Sequence, residues 1–289
     1  MNFEISIGVP TYKRPYLLKR ALNSIVKKNL NNLLVNVSVD GVDETYEEYK
    51  KIQNSFIKFK YINFYFHKKN IGTLNNFIFL RDITKTEYFM WLADDDETKP
   101  DMIIKLHEIL KNNKEATSAV PYCELVNENN KRIVIKSSNF EDHNIFVRIL
   151  KYTYNSDDIF FYGLHRHNNL MKCSFNKYWW PNSRVLSNWC YVFQMDLILQ
   201  GKIILLKDKS LTWVKYDYGP KFYHRTTTKK FLKNITYAIR RINIYFLYLF
   251  KFFKWKKYSF VLIFFFIFLI FLLRDIFFDE PIYKKIKFK

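Results

Sequence analysis

Three consecutive carboxylates stand directly behind an apolar run in the first half of the chain. The stretch reads "EYFMWLADDDETKP" over residues 87–100, and its acids are Asp94, Asp95 and Asp96, followed by Glu97. Adjacent carboxylates repel, so at least one should have a raised pKa unless a cation neutralises the group. Mg²⁺ and Mn²⁺ are commonly bound by one or two carboxylates, with water and substrate phosphate completing the shell. Helix capping would use only one of these acids, so the cluster favours a metal site that binds a diphosphate.

Alternating strands and helices surround this cluster and predict an α/β fold. Short apolar runs rich in β-branched and aromatic residues predict strands at 3–9, 32–40, 61–66, 87–93 and 116–122. Helical spacing of apolar residues predicts helices that begin at Pro15, near Thr73 and at Pro100. This alternation is typical of a mainly parallel central sheet with right-handed crossovers and flanking helices.

Four polar motifs fall at the strand-to-helix junctions of the predicted sheet. They are "TYKRP" after the first strand, "DG" after the second, "NIG" after the third and "DDD" after the fourth. In a parallel sheet the carboxyl ends of the strands meet at one edge, and ligands gather there. We therefore expect the four motifs to share one site.

The stretch 123–217 gives weaker signals. "LVNENNKRIVI" predicts a hairpin at 125–135, and "NWCYVFQMDLILQG" predicts a helix that stops at Gly201. The aromatic-rich segments between them are expected to cover the mouth of the sheet.

The C-terminal quarter concentrates the positive charge of the chain. The formal net charge is +20, and the residues between Asp217 and Asp275 include twelve basic and no acidic side chains. Within them, "YSFVLIFFFIFLIFLL" over 258–273 is uncharged for sixteen residues. As a helix it would extend about 24 Å, short of the ~30 Å hydrocarbon core of a bilayer. A single span and a monotopic or re-entrant insertion both remain compatible with this length.

The preceding stretch 231–253 has the pattern of a helix that lies in a membrane interface. Its basic residues share one half of the helical circumference and its apolar residues the other. The basic ones are Lys233, Arg240, Arg241 and Lys251. Such helices turn a basic face toward anionic headgroups. We therefore expect 218–289 to be a membrane-association region.

Composition and cysteine usage exclude other classes of protein. With 49% hydrophobic and 19% aromatic residues, the chain is not a disordered one. Its charge would suit nucleic acid, but the basic residues border an apolar segment and no recognised nucleic-acid-binding motif appears. The three cysteines are far apart and give neither a disulfide framework nor metal-ligand spacing. The N-terminal residues lack the pattern of a signal peptide, so we expect the catalytic part to stay in the cytoplasm.

Four motifs in one order carry a resemblance to a known family. "VPTYKRPYLLKRALNSI", "VDGVDET", "NIGTLNN" and "WLADDDETKPDMI" follow one another as in family 2 glycosyltransferases with the GT-A fold. The sequence resembles that family well over 1–125 and loosely over 150–217. The resemblance implies a GT-A domain at 1–217, with a nucleotide-sugar-binding half at 1–122 and an acceptor half at 123–217.

The resemblance also implies the reaction. The donor would be a nucleotide-diphospho-sugar, with a UDP-sugar expected first, and the cofactor Mn²⁺ or Mg²⁺. The sugar, in hexosyltransferase-like chemistry, would pass to a hydroxyl group with inversion at the anomeric carbon. A membrane-associated enzyme of this kind suggests polysaccharide biosynthesis, with a lipid-linked or cell-surface glycan as acceptor at the cytoplasmic face of a bacterial inner membrane. Transfer onto polyprenyl phosphate is the alternative acceptor chemistry.

Site residues are carried over by position from the same resemblance. The nucleotide-sugar would be bound by Pro10, Thr11, Tyr12, Arg14, Asp40, Gly72, Asn75, Asn76 and Asp94, and the metal by Asp95 and Asp96. Arg14 could equally be a surface charge at a helix start, and Gly72 a plain turn glycine. Asp40 matches the nucleobase-binding aspartate, although the motif around it is one residue shorter than usual in the family.

The catalytic base is the weakest point of the resemblance. The family usually has an acid before the tryptophan of the helix that ends at Gly201, but Asn188 stands there. An amide cannot take up the acceptor's proton at neutral pH. Asp158 is the favoured substitute, and Asp157 and Asp196 are the others. A catalytically inactive protein that keeps the fold is the rival interpretation that follows from the asparagine.

Overall fold

The structure is a computed structural model that describes residues 3–28, 30–127, 129–137, 139–154, 159–175, 189–216 and 247–261, with Phe266 and Leu269 beyond them. Its strands are β1 (Ile5–Thr11), β2 (Leu33–Val39), β3 (Ile62–Phe66), β4 (Tyr88–Trp91), β5 (Ala116–Val120), β6 (Tyr122–Val126), β7 (Arg132–Ile135), β8 (Leu164–Arg166), β9 (Lys202–Leu205) and β10 (Thr212–Tyr216). Its helices are α1 (Pro15–Ile25), α2 (Tyr46–Ser55), α3 (Thr73–Ile83), α4 (Pro100–Asn112), α5 (Ile145–Tyr154), α6 (His167–Met171) and α7 (Trp189–Gln200). These bounds confirm the predicted strands and helices of the first 120 residues.

A seven-stranded sheet forms the centre of the fold, in the order β3-β2-β1-β4-β8-β5-β9. The pairs β1–β2, β1–β4, β2–β3 and β5–β9 are parallel. Among the strands that the structure describes in this sheet, only β8 runs antiparallel to its two neighbours, β4 and β5. The mainly parallel α/β architecture expected from the sequence is confirmed.

The strand β8 was not predicted, because its three residues are too few to show a periodicity. It comes from the aromatic-rich segment that we expected to cover the mouth of the sheet. Its central residue, His165, is fully buried, and its Nδ1 atom lies 2.7 Å from the hydroxyl of Ser118 on β5. A polar contact inside the sheet therefore holds this short strand in place.

The two faces of the sheet pack against different sets of helices. On β4, Tyr88 and Met90 belong to one buried cluster, with residues of α1, α2 and α4. Phe89 and Trp91 belong to the other, with residues of α3, α5 and α7. Successive side chains of a strand point to opposite faces, so a fully apolar strand can serve both cores.

A second sheet of three strands, β10-β6-β7, lies beside the acidic segment. The predicted hairpin is confirmed by the antiparallel pair β6–β7. Glu97 exchanges two backbone hydrogen bonds of 2.9 Å with Val214 on β10. The second sheet therefore fixes the backbone just behind the three aspartates.

The described part of the C-terminal region packs on the domain. Residues 247–254 are helical, and Tyr248 and Phe252 are buried within the cluster that contains α5 and α7. Lys251 is also buried and pairs with Asp196 of α7. Our prediction that Lys251 faces lipid headgroups is wrong, because a cation beside an unpaired buried carboxylate finds its partner inside the protein. Within the described residues, no helix has both the length and the apolar character to cross a membrane.

Candidate active site

The carboxyl ends of β1 to β4 bring the four polar motifs together, as predicted. Thr11 ends β1, and its carbonyl oxygen accepts a hydrogen bond of 2.9 Å from the backbone N–H of Asp40, which follows β2. The Asp40 carboxylate accepts hydrogen bonds from the backbone N–H groups of Ile71 at 2.6 Å and Gly72 at 3.1 Å. One buried carboxylate thus ties the turn after β2 to the turn after β3.

Arg14 joins the first motif to the fourth. Its guanidinium lies 3.1 Å from Oδ1 of Asp94 and 2.8 Å from Oδ2 of Asp95. The Arg14 side chain remains 41% exposed, whereas that of Asp94 is 1% exposed. Of the two roles left open by the sequence, a plain surface charge is therefore inconsistent with the geometry, because this arginine is aimed at the acidic cluster.

The carboxylate of Asp94 is buried and its pKa is strongly perturbed. Burial raises its pKa from the ordinary value of 3.8 to about 7, the Asp95 charge adds to the rise, and the Arg14 charge opposes it. Its Oδ2 atom is buried and has no hydrogen-bond partner among the described residues. A buried carboxylate oxygen without a donor is a site where a cation or a hydroxyl group would be stabilised.

Tyr49 is a structural member of the site that sequence reasoning missed. Its hydroxyl group lies 2.8 Å from that of Thr11 and accepts a hydrogen bond of 3.0 Å from the backbone N–H of Arg14. The contact sets the start of α1 and hence the direction of the Arg14 side chain. No sequence signal marks Tyr49, because α2 places it there from outside the four motifs.

Arg20 is the second missed residue, and it braces the acidic segment from behind. Its guanidinium donates a hydrogen bond of 2.5 Å to the backbone oxygen of Asp95 and lies 3.4 Å from the Glu97 carboxylate. It also stacks over the Tyr216 ring at 3.8 Å, and the Tyr216 hydroxyl donates to Glu97 at 2.7 Å. The Glu97 carboxylate is therefore engaged with Arg20 and Tyr216 and is not positioned as a further metal ligand.

The acids fit a divalent cation that takes part of its shell from a substrate. Asp95 and Asp96 would hold the ion, with Asp94 as a further oxygen donor, and both Asp94 and Asp96 are buried. The described residues contain no group of three or more acidic, histidine or cysteine side chains arranged as a complete metal site. Two carboxylates with diphosphate oxygens and water are a common environment for Mg²⁺ or Mn²⁺. Arg14 contacts one oxygen each of Asp94 and Asp95, so an ion bound through those two oxygens would have to displace its guanidinium.

The other predicted donor contacts lie at the same edge. Pro10 is buried in β1, and Tyr12 projects from the loop behind it with 42% of its surface exposed. Gly72 has φ +85°, a left-handed conformation that favours glycine, and a Cβ atom placed there would meet no atom within 4 Å outside its chain neighbours. The plain-turn interpretation of Gly72 therefore explains its conformation, and the open space beside it is compatible with a ligand.

The two asparagines differ in what they offer a ligand. Asn75 donates to the carbonyl oxygen of Ile71 at 2.6 Å. Asn76 is buried and donates to the carbonyl oxygen of Ser38 at 3.1 Å, while its own side-chain oxygen has no partner among the described residues. Asn76 is thus chiefly a link between α3 and β2.

Of the candidate bases, Asp196 alone lies among the described residues. Asp157, Asp158 and Asn188 lie outside the described residues. Asp196 is fully buried, and its carboxylate pairs with Lys251 and accepts hydrogen bonds from the indole N–H of Trp255 at 2.7 Å and the backbone N–H of Ser174 at 2.9 Å. This geometry argues against Asp196 as the base, because its oxygens are engaged and closed off from an acceptor hydroxyl.

Comparison with known proteins decides the family. Residues 6–179 match the sequence profile of the family described as Glycosyl transferase family 2, which is more than half of the chain. The chain belongs to glycosyltransferase family 2. An uncharacterised glycosyltransferase of Haemophilus influenzae is 24% identical to it over 253 residues, covering 83% of this chain and 76% of that protein.

Two shorter matches come from Mycoplasma genitalium. A processive diacylglycerol beta-glycosyltransferase is 36% identical over 100 residues, and an uncharacterised glycosyltransferase is 32% identical over 96 residues. Each match covers about a third of this family 2 glycosyltransferase. The matched part is 28% of the diacylglycerol glycosyltransferase and 32% of the uncharacterised one.

Solved structures share the fold. Residues 1–349 of S. aureus TarS superimpose with a TM-score of 0.56 at 16% identity, over 84% of this chain and 66% of that one. The same fragment in complex with UDP-GlcNAc gives a TM-score of 0.59 at 14% identity. At such identities the likeness shows the fold, and that fold is GT-A, as the sequence predicted.

Proposed function

We propose that this family 2 glycosyltransferase is an inverting enzyme that transfers a sugar from a nucleotide-diphospho-sugar to an acceptor hydroxyl. The observation that carries the proposal is the meeting of Thr11, Asp40, Gly72 and the three aspartates at one edge of the sheet. The S. aureus TarS fragment of the same fold was solved with UDP-GlcNAc and with UDP. A UDP-sugar is therefore the donor that we propose first.

The proposed donor site has a nucleoside end and a diphosphate end. Pro10, Thr11, Tyr12 and Asp40 would form the nucleoside end, where the exposed Tyr12 ring would stack on a base. Asp94 would contact ribose or metal, and Asp95 and Asp96 would hold Mn²⁺ or Mg²⁺ at the diphosphate end. When bound, the ion would stabilise the negative charge that develops on the departing nucleoside diphosphate.

The chain's own residues would do the remaining work. Arg14 is long enough and exposed enough to turn from the carboxylates to a diphosphate oxygen, where its charge would add to the stabilisation. A carboxylate on the opposite side of the sugar would accept the proton of the attacking hydroxyl group. Asp158 remains the favoured candidate for that base and Asp157 the second.

We propose a lipid-linked or cell-surface glycan as the acceptor, at the cytoplasmic face of a bacterial inner membrane. The support is the basic C-terminal quarter and its uncharged stretch at 258–273. Transfer onto polyprenyl phosphate would suit the same location and is the second candidate. The M. genitalium relative that acts on diacylglycerol lends weight to an acceptor in a membrane, although it matches only a third of this chain.

Donor-dependent stabilisation tests the proposal. Nucleotide-sugars are screened for a rise in the thermal unfolding temperature with and without Mn²⁺, and the stabilising donor is then tested on Asp95→Ala. We expect the Mn²⁺-dependent rise to disappear in that variant and to persist in Asp101→Ala, which removes an exposed acid of α4 that pairs with Lys28. If no nucleotide-sugar stabilises the protein, or if Asp95→Ala is stabilised as well as the native chain, the proposed site is wrong. Stabilisation without turnover on any acceptor would favour the inactive-scaffold interpretation.

A further inference from the structure

The segment 247–261 has one side that packs on the domain and one that faces outward. Tyr248, Lys251 and Phe252 are buried. Phe250 and Phe253, on the other side of the same helix, are 64% and 52% exposed. Helical side chains three or four positions apart share a face, whereas those two positions apart project in nearly opposite directions, so a single short helix can bury one set of residues and present another.

The inner side is locked to α7 by polar contacts. The Lys251 ammonium pairs with the Asp196 carboxylate and donates to the carbonyl oxygen of Ser174 at 2.8 Å. The Trp255 indole donates to the same carboxylate, and the Lys254 ammonium donates to the carbonyl oxygen of Lys172 at 2.6 Å. Losing Lys251 would leave a buried carboxylate short of its cation. The segment is therefore fixed to the acceptor half of the domain.

The outer side combines exposed rings with positive charge. We call it the C-terminal aromatic surface, and it consists of Phe250, Phe253, Lys256 and Tyr258. Phe266 and Leu269 further along are exposed as well, at 65% and 40%. The chain has no acidic residue from 218 to 274, so no carboxylate of its own segment offsets the positive charge of this surface.

We propose that the C-terminal aromatic surface binds an anionic lipid bilayer. Exposed phenylalanines followed by an exposed lysine match an interface in which rings enter the acyl boundary while the Lys256 ammonium contacts lipid phosphates. Continuity with the uncharged stretch 258–273 favours a bilayer over a second protein copy, because that stretch lengthens the apolar part without adding charge. Since Lys251 is held by Asp196, the bilayer contact is rigidly connected to α7. The membrane would then lie on the acceptor side of the domain.

This inference concerns the membrane partner of the proposed transferase, and it is tested without any sugar transfer. Failure of one proposal therefore does not imply failure of the other. The full chain carries Phe253→Cys labelled with an environment-sensitive fluorophore. The native cysteines Cys123, Cys173 and Cys190 are buried, so labelling is directed to the new position. A matched control carries the label at Ile57→Cys, an apolar residue that is 78% exposed near the end of α2.

Vesicles of phosphatidylcholine alone and of phosphatidylcholine with phosphatidylglycerol are then added, with a quencher attached to the lipid chains. We expect the label at position 253 to shift to the blue and to be quenched by the anionic vesicles, with a much smaller effect on neutral ones. The label at position 57 should not respond. Equal quenching at both positions, or none at 253 while the protein sediments with the vesicles, would overturn the proposal.

A second arm measures affinity and the competing occupant. Phe250→Ser with Phe253→Ser should weaken sedimentation with anionic vesicles by about tenfold, since two partly exposed rings no longer enter the interface. Ile57→Ser with Val134→Ser removes two exposed apolar side chains elsewhere and should leave sedimentation with anionic vesicles unchanged. Molecular mass by light scattering is recorded for each protein. A dimer that the Phe250 and Phe253 substitutions dissociate, without a change in vesicle binding, would assign the surface to a second copy and refute the bilayer.

Discussion

Arg14 should compete with a divalent cation for the carboxylates of Asp94 and Asp95. It contacts one oxygen of each, and a cation bound to the same pair meets both a blocked ligand and a repelling charge. Removing the guanidinium should therefore strengthen metal binding in the absence of nucleotide. This direction is unusual, since replacing a residue of a binding site normally weakens ligand binding.

The magnitude follows from how exposed the pair is. Fully exposed ion pairs contribute about 0.2–1 kcal/mol, and breaking buried ones costs about 3–5 kcal/mol. Here the Asp94 side chain is 1% exposed and the Arg14 side chain 41%. Solvent therefore screens the pair in part, and its contribution to the free energy lies between these limits. We take the contacts between Arg14 and the two carboxylates to contribute about 1–2 kcal/mol. Because the ion no longer has to break them, Arg14→Gln should bind Mn²⁺ about 5- to 30-fold more tightly.

Titration of the nucleotide-free protein with Mn²⁺, followed by the electron spin resonance of the free ion, measures this affinity directly. The control is Lys13→Gln, which removes a neighbouring positive charge that pairs with Glu44 and Asp43 instead. It should change the Mn²⁺ affinity only slightly, because its charge is screened by solvent. With UDP present, the order of the two affinities should reverse. Arg14→Gln should then bind the nucleotide and ion together less tightly than the native chain.

Unchanged Mn²⁺ affinity in Arg14→Gln would refute the reasoning, provided that Asp95→Ala abolishes binding. The carboxylates would then hold the ion through oxygens that Arg14 does not touch. Weaker binding in Arg14→Gln without nucleotide would be a stronger contradiction, since it would mean that the guanidinium organises the carboxylates instead of occupying them.

Two further predictions concern buried polar groups away from the proposed donor site. Burial lowers the pKa of His165 from 6.5 to about 4, so between these values the unfolded chain holds a proton that the folded chain does not. The free energy of unfolding should fall by about 3 kcal/mol as pH drops from 6.5 to 4, and chemical denaturation of His165→Gln should lack this part of the decline. Asp196→Ala should lower the free energy of unfolding by about 3–5 kcal/mol because Lys251 is left unpaired, whereas Asp196→Leu with Lys251→Met should recover most of it. If the double variant is as unstable as the single one, the loss comes from packing and not from the unpaired charge.

Sequence reasoning predicted the sheet edge well because that edge is built from local signals. Pro15, Gly72 and Pro100 mark helix starts, and β-branched runs mark the strands that end there. Parallel topology then dictates that those ends coincide. The same reasoning missed β8, whose three residues become a strand only because β4 and β5 leave room between them. It also missed Tyr49 and Arg20, which reach the site from outside the motifs.

The pairing of Asp196 with Lys251 shows why the C-terminal region was harder. In "WCYVFQMDLILQ" Asp196 is the single charged residue of a buried apolar helix, and such a carboxylate needs a cation. The sequence alone predicts that need but not its source, because the lysine lies 55 positions later, after a stretch that no pattern connects to α7. Amphipathic spacing counted Lys251 among the headgroup-facing residues, since periodicity assigns a side but cannot say what covers it. Once Lys251 is assigned to the inner side, the outward side is left to Phe250 and Phe253. The aromatic face, more than the basic one assumed from the sequence, is then the part of this segment that must find an apolar partner.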